Sequence, residues 1–564
     1  MSIQTQPGSS RSMLQSAYSH EVNLADHVLL TQPMGGGVLQ SFTWSETMDQ
    51  ARRFATYLKS FDFAPGSSIA VLSKNTAHYF MVELGIWMAG HKTVTIFPTE
   101  SAATLRYILE HSESRLLVIG KLDDWTTQQV AMPANLPVIE LPLGPGTAHL
   151  QWNDMLRNTP ALQGNADRSP DELSMIIYTS GSTGEPKGVM HNFKTTARAA
   201  ELILNWRIEQ MGDVPLRYFS HLPYAHVMER LSVFCASVYG GHSHIFYTES
   251  LATFVEDIKR AKPTLFATVP RLWMKFQLGV FSKMPAEQLG AMLDNPQMGP
   301  VVGKQVLAGM GLDEAVYGAS GAAPLPKEVL EWYGKLGLPM YEAYGMTENF
   351  AIASIGSKTH HSVGCVGLPY KGVEVKISDE GEVLVRSPGQ MVGYYKQPEL
   401  TASCLTEDGY FRTGDLGQIT ETGELKITGR IKELFKTSKG KYIAPAPIEA
   451  LINSCPLIET SAVSGANFET PYAAVILAEH LRTKLTDEQS RAELMAQLSQ
   501  LRNQANEQLA AYQQLKFLVV ITDPWTVENA CLTPTLKLKR ANIEKRLNDC
   551  AEAWYMNGAA VIIH

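Results

Sequence analysis

The sequence predicts an α/β protein, with a large N-terminal body of α/β subdomains, a small β-rich subdomain and an α+β domain at the C-terminus. Three observations support this fold class. Short apolar runs alternate with helical patterns in the first part of the chain, short strands with tight turns begin at Gly372, and a compact mixed pattern follows Lys432. Because 564 residues exceed one ordinary domain, we predict an N-terminal domain over residues 1–431 and a C-terminal domain over residues 432–564.

Apolar runs separated by helical patterns predict the strands of the N-terminal body, in largely parallel sheets. Between two of these runs, residues 75–89 have the pattern of an amphipathic helix. The runs cover residues 68–72, 116–119, 137–141, 175–178 and 265–269.

The later part of the chain has a different pattern, with short strands separated by tight turns. Residues 373–377 and 382–386 flank Asp379-Glu-Gly381, which predicts a hairpin in the β-rich subdomain. In the C-terminal domain, residues 472–477 predict an apolar strand and residues 487–509 predict a long helix.

Composition excludes several classes of protein. The formal net charge is −8 without a long basic run, so we do not expect nucleic-acid binding. Six widely spaced cysteines without a Cys-x-x-Cys pair argue against a zinc knuckle and a disulfide framework. The polar N-terminus lacks a secretory signal, and no run approaches the roughly 20 apolar residues that cross a bilayer. We predict a cytoplasmic protein and leave open peripheral contact with the inner face of the membrane.

A loop rich in glycine and hydroxyl groups, Tyr178-Thr-Ser-Gly-Ser-Thr-Gly-Glu-Pro-Lys-Gly188, follows an apolar run. Asn192 can cap a helix beyond it, so we predict a strand, the loop and then a helix. Its amides and hydroxyls can bind phosphate, although a mobile surface loop is the alternative. The spacing matches neither Walker A nor G-x-G-x-x-G, which indicates another type of phosphate site. The residues predicted to bind phosphate are Thr179, Ser180, Gly181, Ser182, Thr183, Gly184 and Lys187.

Two further segments carry carboxylates suited to a nucleotide. Tyr344-Gly-Met-Thr-Glu348 combines an aromatic ring, a glycine, a hydroxyl and a carboxylate, and Glu348 is a hard oxygen ligand of the kind that Mg²⁺ takes. Tyr410-Phe-Arg-Thr-Gly-Asp415 offers Asp415 as an acceptor for ribose hydroxyls. Each segment alone would also fit an ordinary turn.

Together with three later segments, these motifs resemble the adenylate-forming superfamily, which includes acyl-CoA synthetases, luciferases and the adenylation domains of peptide synthetases. The later segments begin at Gly429-Arg-Ile-Lys432, Gly440-Lys-Tyr-Ile-Ala-Pro445 and Leu532-Thr-Pro-Thr-Leu-Lys537. The last of them, taken alone, would be a solvated basic face. The resemblance covers residues 44 to 540, and residues 222–230, 269–273 and 440–445 are most similar to long-chain fatty acid CoA ligases.

This resemblance implies a two-step reaction that uses ATP, Mg²⁺ and CoA. A medium- or long-chain fatty acid would form an acyl-adenylate and pyrophosphate, and the thiol of CoA would then displace AMP. The glycine loop would hold the β and γ phosphates, Thr347 would contact phosphate and Glu348 would hold Mg²⁺. The residues expected around adenine and ribose are Ser320, Gly321, Ala322, Tyr344, Gly345, Asp415 and Arg430.

The resemblance also implies a catalytic lysine on a mobile C-terminal domain. Lys537 would bridge the substrate carboxylate and the α-phosphate, with Lys539 as a competing candidate because Thr535-Leu536 replaces the usual Ser-Gly. Lys432 would be the hinge, and the loop at Gly440 would reach the pantetheine tunnel in the second step. Gly429 departs from the Asp that commonly precedes the ribose arginine.

Other readings of the sequence stay open. The resemblance places His226 beside the acyl pocket, where it either faces substrate or is simply packed. We expect Glu229 and Arg230 to form a structural ion pair. The chain length of the acid and the oligomeric state have no signal in the sequence. The alternatives to CoA ligation are an enzyme that loads an acyl carrier protein and an inactive nucleotide-binding adaptor.

Overall fold

The computed structural model describes residues 11–179, 185–527, 529–533 and 536–564. Its N-terminal body contains a sheet in which eight described strands pair, and six neighbouring strands of this sheet run parallel. This arrangement confirms the predicted α/β fold. In spatial order the strands are Gly393–Tyr394, Lys187–Asn192, Leu173–Thr179, Lys92–Ile96, Ser68–Leu72, Ser114–Ile119, Val138–Glu140 and Leu150–Gln151.

Two further mixed sheets belong to the same body. Each begins with three parallel strands and ends with antiparallel pairing. One consists of Leu265–Thr268, Tyr317–Gly321, Met340–Tyr344, Ser354–Ile355 and Leu368–Pro369, and the other of Leu216–Ser220, Ser243–Tyr247, Val28–Pro33 and Leu39–Thr43.

The glycine loop joins two antiparallel strands, which corrects the predicted strand, loop and helix. Leu173–Thr179 leads into the loop and Lys187–Asn192 leaves it, with Thr179 opposite Lys187. The predicted cap is confirmed, because the side chain of Asn192 accepts from the amide of Thr195, two residues into the following helix. Lys187 is therefore held in a paired strand and not in a free loop.

The helix Ala77–Met88 is buried on every side, so the prediction of an amphipathic helix over residues 75–89 was wrong. Its polar residues are enclosed by the protein instead of facing water. Glu83 forms a fully buried ion pair with Arg230, and the guanidinium of Arg230 also donates to the carbonyl of Tyr224.

The predicted pairing of Glu229 with Arg230 is also wrong. Glu229 accepts from the hydroxyl of Ser220 at 2.6 Å and from the side-chain amide of Asn75, on the opposite side of the turn from Arg230. Burial raises the pKa of Glu229 to about 8, so this carboxyl is largely protonated at neutral pH. Arg230 consequently depends on Glu83 for its neutralising charge.

The β-rich subdomain and the C-terminal domain follow, as predicted. The expected hairpin is present between Glu374–Ile377 and Glu382–Arg386, and the apolar strand at residues 472–477 and the long helix are also confirmed. The boundary at Lys432 stays a prediction. The β-rich sheet consists of Glu374–Ile377, Glu382–Arg386, Phe411–Ile419 and Leu425–Arg430; the C-terminal sheets pair Phe435–Lys436 with Tyr442–Ile443 and join Ile458–Ser464, Tyr472–Leu477, Leu518–Val520 and Val561–Ile563.

Helices cover the faces of these sheets and form much of the rest of the core. Among the residues that are described, no helix is long and apolar enough to span a bilayer. The α-helices are Met13–Asn23, Trp44–Lys59, Ala77–Met88, Ala102–His111, Trp125–Gln128, Trp152–Asn158, Phe193–Met211, Val227–Glu229, Ala236–Gly240, Phe254–Ala261, Pro270–Phe281, Ala286–Leu293, Gly299–Met310, Lys327–Lys335, Pro398–Ser403, Pro445–Asn453, Glu488–Gln508 and Arg540–Asn557. Arg230–Cys235 is π-helical, and Gln129–Ala131, Thr347–Asn349, Ile431–Glu433 and Glu479–Thr486 are 3-10 helical.

A carboxylate of the C-terminal domain meets the N-terminal body. Glu459 binds Arg271 of the body at 2.5 Å through one oxygen and Arg482 of its own domain through the other. Leu278 of the body also packs against the apolar core of the C-terminal domain. The two parts therefore touch through one polar and one apolar contact in this region.

We expect the loss of Arg230 to destabilise the N-terminal body strongly. Arg230→Met leaves the carboxylate of Glu83 buried without its cation, which should lower the free energy of unfolding by about 3–5 kcal/mol. Replacing both residues with Met should cost less than this single change. Urea-induced unfolding would measure both effects. The matched control is Arg386→Met, which breaks an exposed pair with Glu374 and should leave stability almost unchanged; equal losses for the two single variants would contradict the argument.

Candidate functional site

The phosphate side of the candidate site is built on the strand that begins at Lys187. Its ammonium lies 5.4 Å from the centroid of the Tyr394 ring. Gly188 is needed beside it, because an added Cβ would lie 2.9 Å from the side chain of Ile176. Thr179 stands opposite Lys187 at the other end of the loop. The predicted contacts of Ser180, Gly181, Ser182, Thr183 and Gly184 lie outside the described residues.

Glu348 and Lys187 both contact the side chain of Tyr394. The hydroxyl of Tyr394 donates to Oε1 of Glu348 at 2.8 Å, so one tyrosine contacts both the predicted phosphate lysine and the predicted metal ligand. The second carboxylate oxygen makes no hydrogen bond to a described residue. Glu348 thus presents a hard oxygen donor next to Lys187, which fits a Mg²⁺ ion bound to phosphate.

A buried histidine, His191, fixes the turn that carries Thr347 and Glu348. Nε2 of His191 lies 2.8 Å from the carbonyl oxygen of Thr347. Burial lowers the pKa of His191 to about 4, so its imidazole is neutral and donates one proton to this carbonyl. Gly345 also permits the turn, because a Cβ there would lie 2.6 Å from the backbone of Ala351.

Asp415 is held by two donors from different sheets. Arg430 donates through Nε to one oxygen at 2.7 Å, and the hydroxyl of Tyr344 donates to the other at 2.6 Å. The strands place Asp415 directly opposite Arg430. Burial and the charge of Asp415 raise the pKa of Tyr344, which therefore stays a neutral donor. The carboxylate side chain is nearly enclosed, whereas that of Arg430 is about half exposed.

The predicted adenine segment ends a strand at the same edge. Ser320 and Gly321 close the strand Tyr317–Gly321, parallel to Met340–Tyr344, so the carboxyl ends of both strands meet where ligands bind in open α/β sheets. The hydroxyl of Ser320 is buried without a hydrogen-bond partner among the described residues. Ala322, with a φ of 71°, then turns the chain through the left-handed region, which is uncommon for a residue other than glycine.

Lys537 joins this constellation from the C-terminal domain. Its ammonium interacts electrostatically with Arg430, Asp415 and Glu348, although the residue as a whole is exposed to solvent. Burial and the positive charge of Arg430 lower the pKa of Lys537 to about 8, against the opposing effect of the carboxylates. Lys539 faces elsewhere, since its charge acts on Glu100. The geometry therefore favours Lys537 over Lys539 as the cation of the site.

A cavity opens beside these residues. Its polar end is the part beside Asp415 and Lys537, where His226 and Tyr344 line it, and apolar and aromatic side chains such as those of Ile203 and Tyr370 line other parts. Nδ1 of His226 accepts from the amide of Met228 at 3.2 Å. Burial and the charge of Lys537 lower the pKa of His226 to about 3, so its neutral ring carries the proton on Nε2 and faces the cavity as a donor.

The predicted hinge and second-step loop lie outside this cavity. Lys432 is the central residue of the 3-10 turn Ile431–Glu433, which directly follows the strand that carries Arg430. Gly440, with a φ of 78°, forms a turn closed by its amide on the carbonyl of Thr437. Neither residue is among the described residues that line the cavity.

Sequence reasoning missed three residues of this region. Tyr394, which links Lys187 and Glu348, and His191, which fixes Thr347, carry no motif of their own. Arg207 lines the cavity from the helix Phe193–Met211, where it reads as an ordinary surface residue. In each case the role depends on residues that are not neighbours in the sequence, so the contact becomes known only from the fold.

Comparison with known proteins matches two parts of the chain. A model described as "AMP-binding enzyme" matches residues 22–395, and one described as "AMP-binding enzyme C-terminal domain" matches residues 433–559. A similar curated protein is the "Long-chain-fatty-acid--CoA ligase FadD15" of Mycobacterium bovis, 27% identical over 95% of this chain and 96% of that protein. Another is the "Long chain acyl-CoA synthetase 7, peroxisomal" of Arabidopsis thaliana, 25% identical over 94% of this chain and 84% of that protein.

Solved structures agree with the fold. The A domain of a carboxylic acid reductase from Segniliparus rugosus, in complex with AMP and a co-purified carboxylic acid, gives a TM-score of 0.82. It is 21% identical and the match covers 98% of this chain and 95% of that one. The anthranilate CoA ligase AuaEII, in complex with anthranoyl-AMP, gives a TM-score of 0.78 at 20% identity, over 96% of this chain and 98% of that one.

We expect Lys537 to titrate near pH 8 in the free protein, well below the ordinary lysine pKa of about 10.4. Arg430→Met should raise the pKa of Lys537, because it removes a neighbouring cation, and Asp415→Asn should lower it, because it removes an anion. NMR titration of ¹³C-methylated lysines would measure these shifts, with Lys537→Ala identifying the signal. An ordinary lysine pKa, or no response to either variant, would contradict the described geometry.

Proposed function

Because the chain belongs to the AMP-binding enzyme family, we propose that it activates a medium- or long-chain fatty acid with ATP and transfers the acyl group to CoA. The products are acyl-CoA, AMP and pyrophosphate. The observation that carries this proposal is that Lys537 interacts electrostatically with Glu348 and Asp415 and also with His226, which lines the polar end of a largely apolar cavity. Such a site can hold a charged reacting group and an apolar chain at once.

In the first step, a carboxylate oxygen of the fatty acid attacks the α-phosphorus of ATP and pyrophosphate leaves. Negative charge grows on the α-phosphate oxygens, and a positioned ammonium stabilises it, which is the role we assign to Lys537. The acid's apolar chain would occupy the cavity, with its headgroup beside Lys537 and the Nε2 donor of His226. Binding in this pose orders both reactants before the reaction.

The nucleotide would lie along the edge where the strands end. Lys187 and the glycine loop would bind the β and γ phosphates, with Thr347 beside them, and Asp415 and Arg430 would bind the ribose. The sequence segments at Ser320 and Tyr344 would line the adenine, where the unpaired hydroxyl of Ser320 offers a hydrogen bond. Glu348 would hold Mg²⁺, which neutralises phosphate charge when bound.

The second step needs a different arrangement of the same site. The thiol of CoA attacks the acyl carbon, AMP leaves, and Lys537 is no longer required. We assign Lys432 as the hinge of the C-terminal domain and the Gly440 turn as the element that replaces Lys537 near the pantetheine chain. The ion pair between Arg271 and Glu459 is partly open to solvent, and Glu459 keeps its bond to Arg482 when the contact with Arg271 breaks.

The named relatives support this function over the alternatives. The two curated proteins described above are called acyl-CoA ligases or synthetases, which supports CoA over an acyl carrier protein as the acceptor. The presence of Lys187, Glu348, Asp415 and Lys537 around one cleft argues against an inactive adaptor. A cytosolic location with peripheral contact to a membrane stays a prediction.

The overall activity can be tested with purified protein. We expect pyrophosphate release only when ATP and a fatty acid are both present, and acyl-CoA only after CoA is added. Offering CoA and a phosphopantetheinylated acyl carrier protein in parallel would identify the acceptor, and we expect much faster transfer to CoA. A panel of fatty acids that gives neither pyrophosphate nor thioester would contradict the proposed function.

The two half-reactions separate the proposed roles of two lysines. We expect Lys537→Ala to reduce adenylate formation by at least about 100-fold, while thioester formation from a supplied acyl-adenylate is largely preserved. Lys432→Pro should restrict rotation and impair mainly one half-reaction. Single-turnover assays of each step would measure both variants, with Lys539→Ala as the control for the catalytic lysine. Equal losses in the two steps would contradict the corresponding assignment.

A further inference from the structure

The apolar cavity contains a buried cation. Arg207 lies on the helix Phe193–Met211 and lines the cavity together with Ile203 and Trp206 of the same helix, and only 3% of its surface is exposed. A cavity made only for an aliphatic chain has no use for a guanidinium, since burying a charge without compensation is strongly unfavourable.

The protein satisfies this guanidinium only in part. Nη1 donates to the hydroxyl of Tyr218 at 2.7 Å and to the carbonyl of Ser232 at 2.9 Å. Nε is fully buried and has no hydrogen-bond partner in the described part of the chain. Within that same part, no carboxylate forms an ion pair with Arg207. The neighbourhood therefore supplies neutral acceptors for one nitrogen and the ring of Tyr218, whose centroid lies 5.2 Å from the guanidinium carbon, but no anion and no acceptor for Nε among the described residues.

Nearby titratable groups do not provide the missing charge. Burial raises the pKa values of Tyr218, Tyr317 and Tyr370, so these phenols remain neutral. Glu229 lines an adjoining cavity of about 290 Å³ that shares Ser232 with the first. It is bonded to Ser220 and largely protonated at neutral pH, for the reason given above. A further acceptor for Arg207 would then come from water or from a bound ligand.

Arg207 lies away from the reacting end of the cavity. His226, at the polar end, and Ser232, whose carbonyl binds Arg207, are six residues apart on one continuous helical segment. Because Arg230–Cys235 is π-helical and rises less per residue than the roughly 1.5 Å of an α-helix, they are separated by several ångströms, and by less than about 9 Å, along the helix. The guanidinium is thus positioned to meet the body or far end of an acyl chain and not its reacting carboxylate.

We propose that the preferred substrate is a fatty acid with a second oxygen function toward the far end of its chain, which accepts a hydrogen bond from Arg207. A hydroxyl, an oxo group and a carboxylate share this acceptor chemistry, and a carboxylate would also neutralise the buried charge. This inference rests on the proposed function and specifies its substrate class.

The experiment compares matched acids with the wild-type enzyme. Octanoic, decanoic and dodecanoic acids would be assayed for pyrophosphate release beside the ω-hydroxy acids and the dicarboxylic acids of the same lengths. We expect kcat/KM to be about tenfold or more higher for an oxygenated acid than for the plain acid of the same length, because the plain chain offers the buried guanidinium no acceptor. The hydroxy and dicarboxylic series distinguish a neutral acceptor from an anion.

Three variants test whether Arg207 causes this preference. Arg207→Met keeps much of the side-chain volume but removes the donors, and the ratio of kcat/KM values between oxygenated and plain acids should fall toward one. Ile203→Val, on the same helix, should affect both acids alike and preserve the ratio. Arg207→Lys, which retains the charge, should preserve a preference for dicarboxylic acids and provides the test if Arg207→Met does not fold.

The outcomes separate this inference from the proposed function. A wild-type enzyme that prefers plain acids, or a preference that persists in Arg207→Met, would overturn the role of Arg207 and leave fatty acid activation intact. Absence of pyrophosphate release with every acid would instead overturn the proposed function.

Discussion

The carboxylate of Asp415 connects the parts of the candidate site. Tyr344 reaches it from the end of a parallel strand, and Arg430 reaches it from the strand that runs into the C-terminal domain. Because both oxygens are occupied by donors in fixed positions, the β-rich subdomain cannot shift against the parallel sheet without breaking a charge-assisted hydrogen bond. The edge that we assign to the nucleotide and the segment that carries the proposed hinge are therefore positioned by the same group.

The site concentrates positive charge where a polyanion would bind. Lys537 and Arg430 lie close enough for the cation of one to lower the pKa of the other, and Lys187 lies beyond Tyr394 on the phosphate side. In the free protein, burial and the charge of Arg430 disfavour the ammonium of Lys537, and the carboxylates of Asp415, Glu433 and Glu348 oppose these effects. Bound triphosphate would supply the missing negative charge, so the electrostatics of the free protein already favour the predicted ligand.

Much of the fold was predictable because it depends on local pattern. Buried strands, the hairpin after Gly372 and the long helix of the C-terminal domain follow from the spacing of apolar residues and turns. The strand Lys187–Asn192 was missed because its glycine and polar residues give no clear alternation, and its pairing is set by the preceding strand. The helix Ala77–Met88 seemed amphipathic because the partner that neutralises Glu83 lies 147 residues away.

Some residues of the candidate site could be predicted from the sequence and others could not. Motif residues such as Glu348, Asp415 and Lys537 were found because their neighbours in sequence carry the pattern, and the structure brings them around one cleft. Tyr394, His191 and Arg207 act through partners that only folding brings near. In the sequence, Arg207 has the pattern of a surface charge on a helix, and only the structure shows that it is buried. The residues that select the substrate are therefore harder to predict from sequence than the residues that carry out the reaction.

Glu459 lies at the contact between the two domains, and its carboxylate would not lose all its charged partners if the domains separated. It shares its carboxylate between Arg271 across the interface and Arg482 beside it. If the C-terminal domain swings away, Glu459 retains Arg482, and Arg271 alone exchanges its partner for water. Because Glu459 keeps one partner within its own domain, the contact with Arg271 could break and form again each time the C-terminal domain makes the proposed rotation.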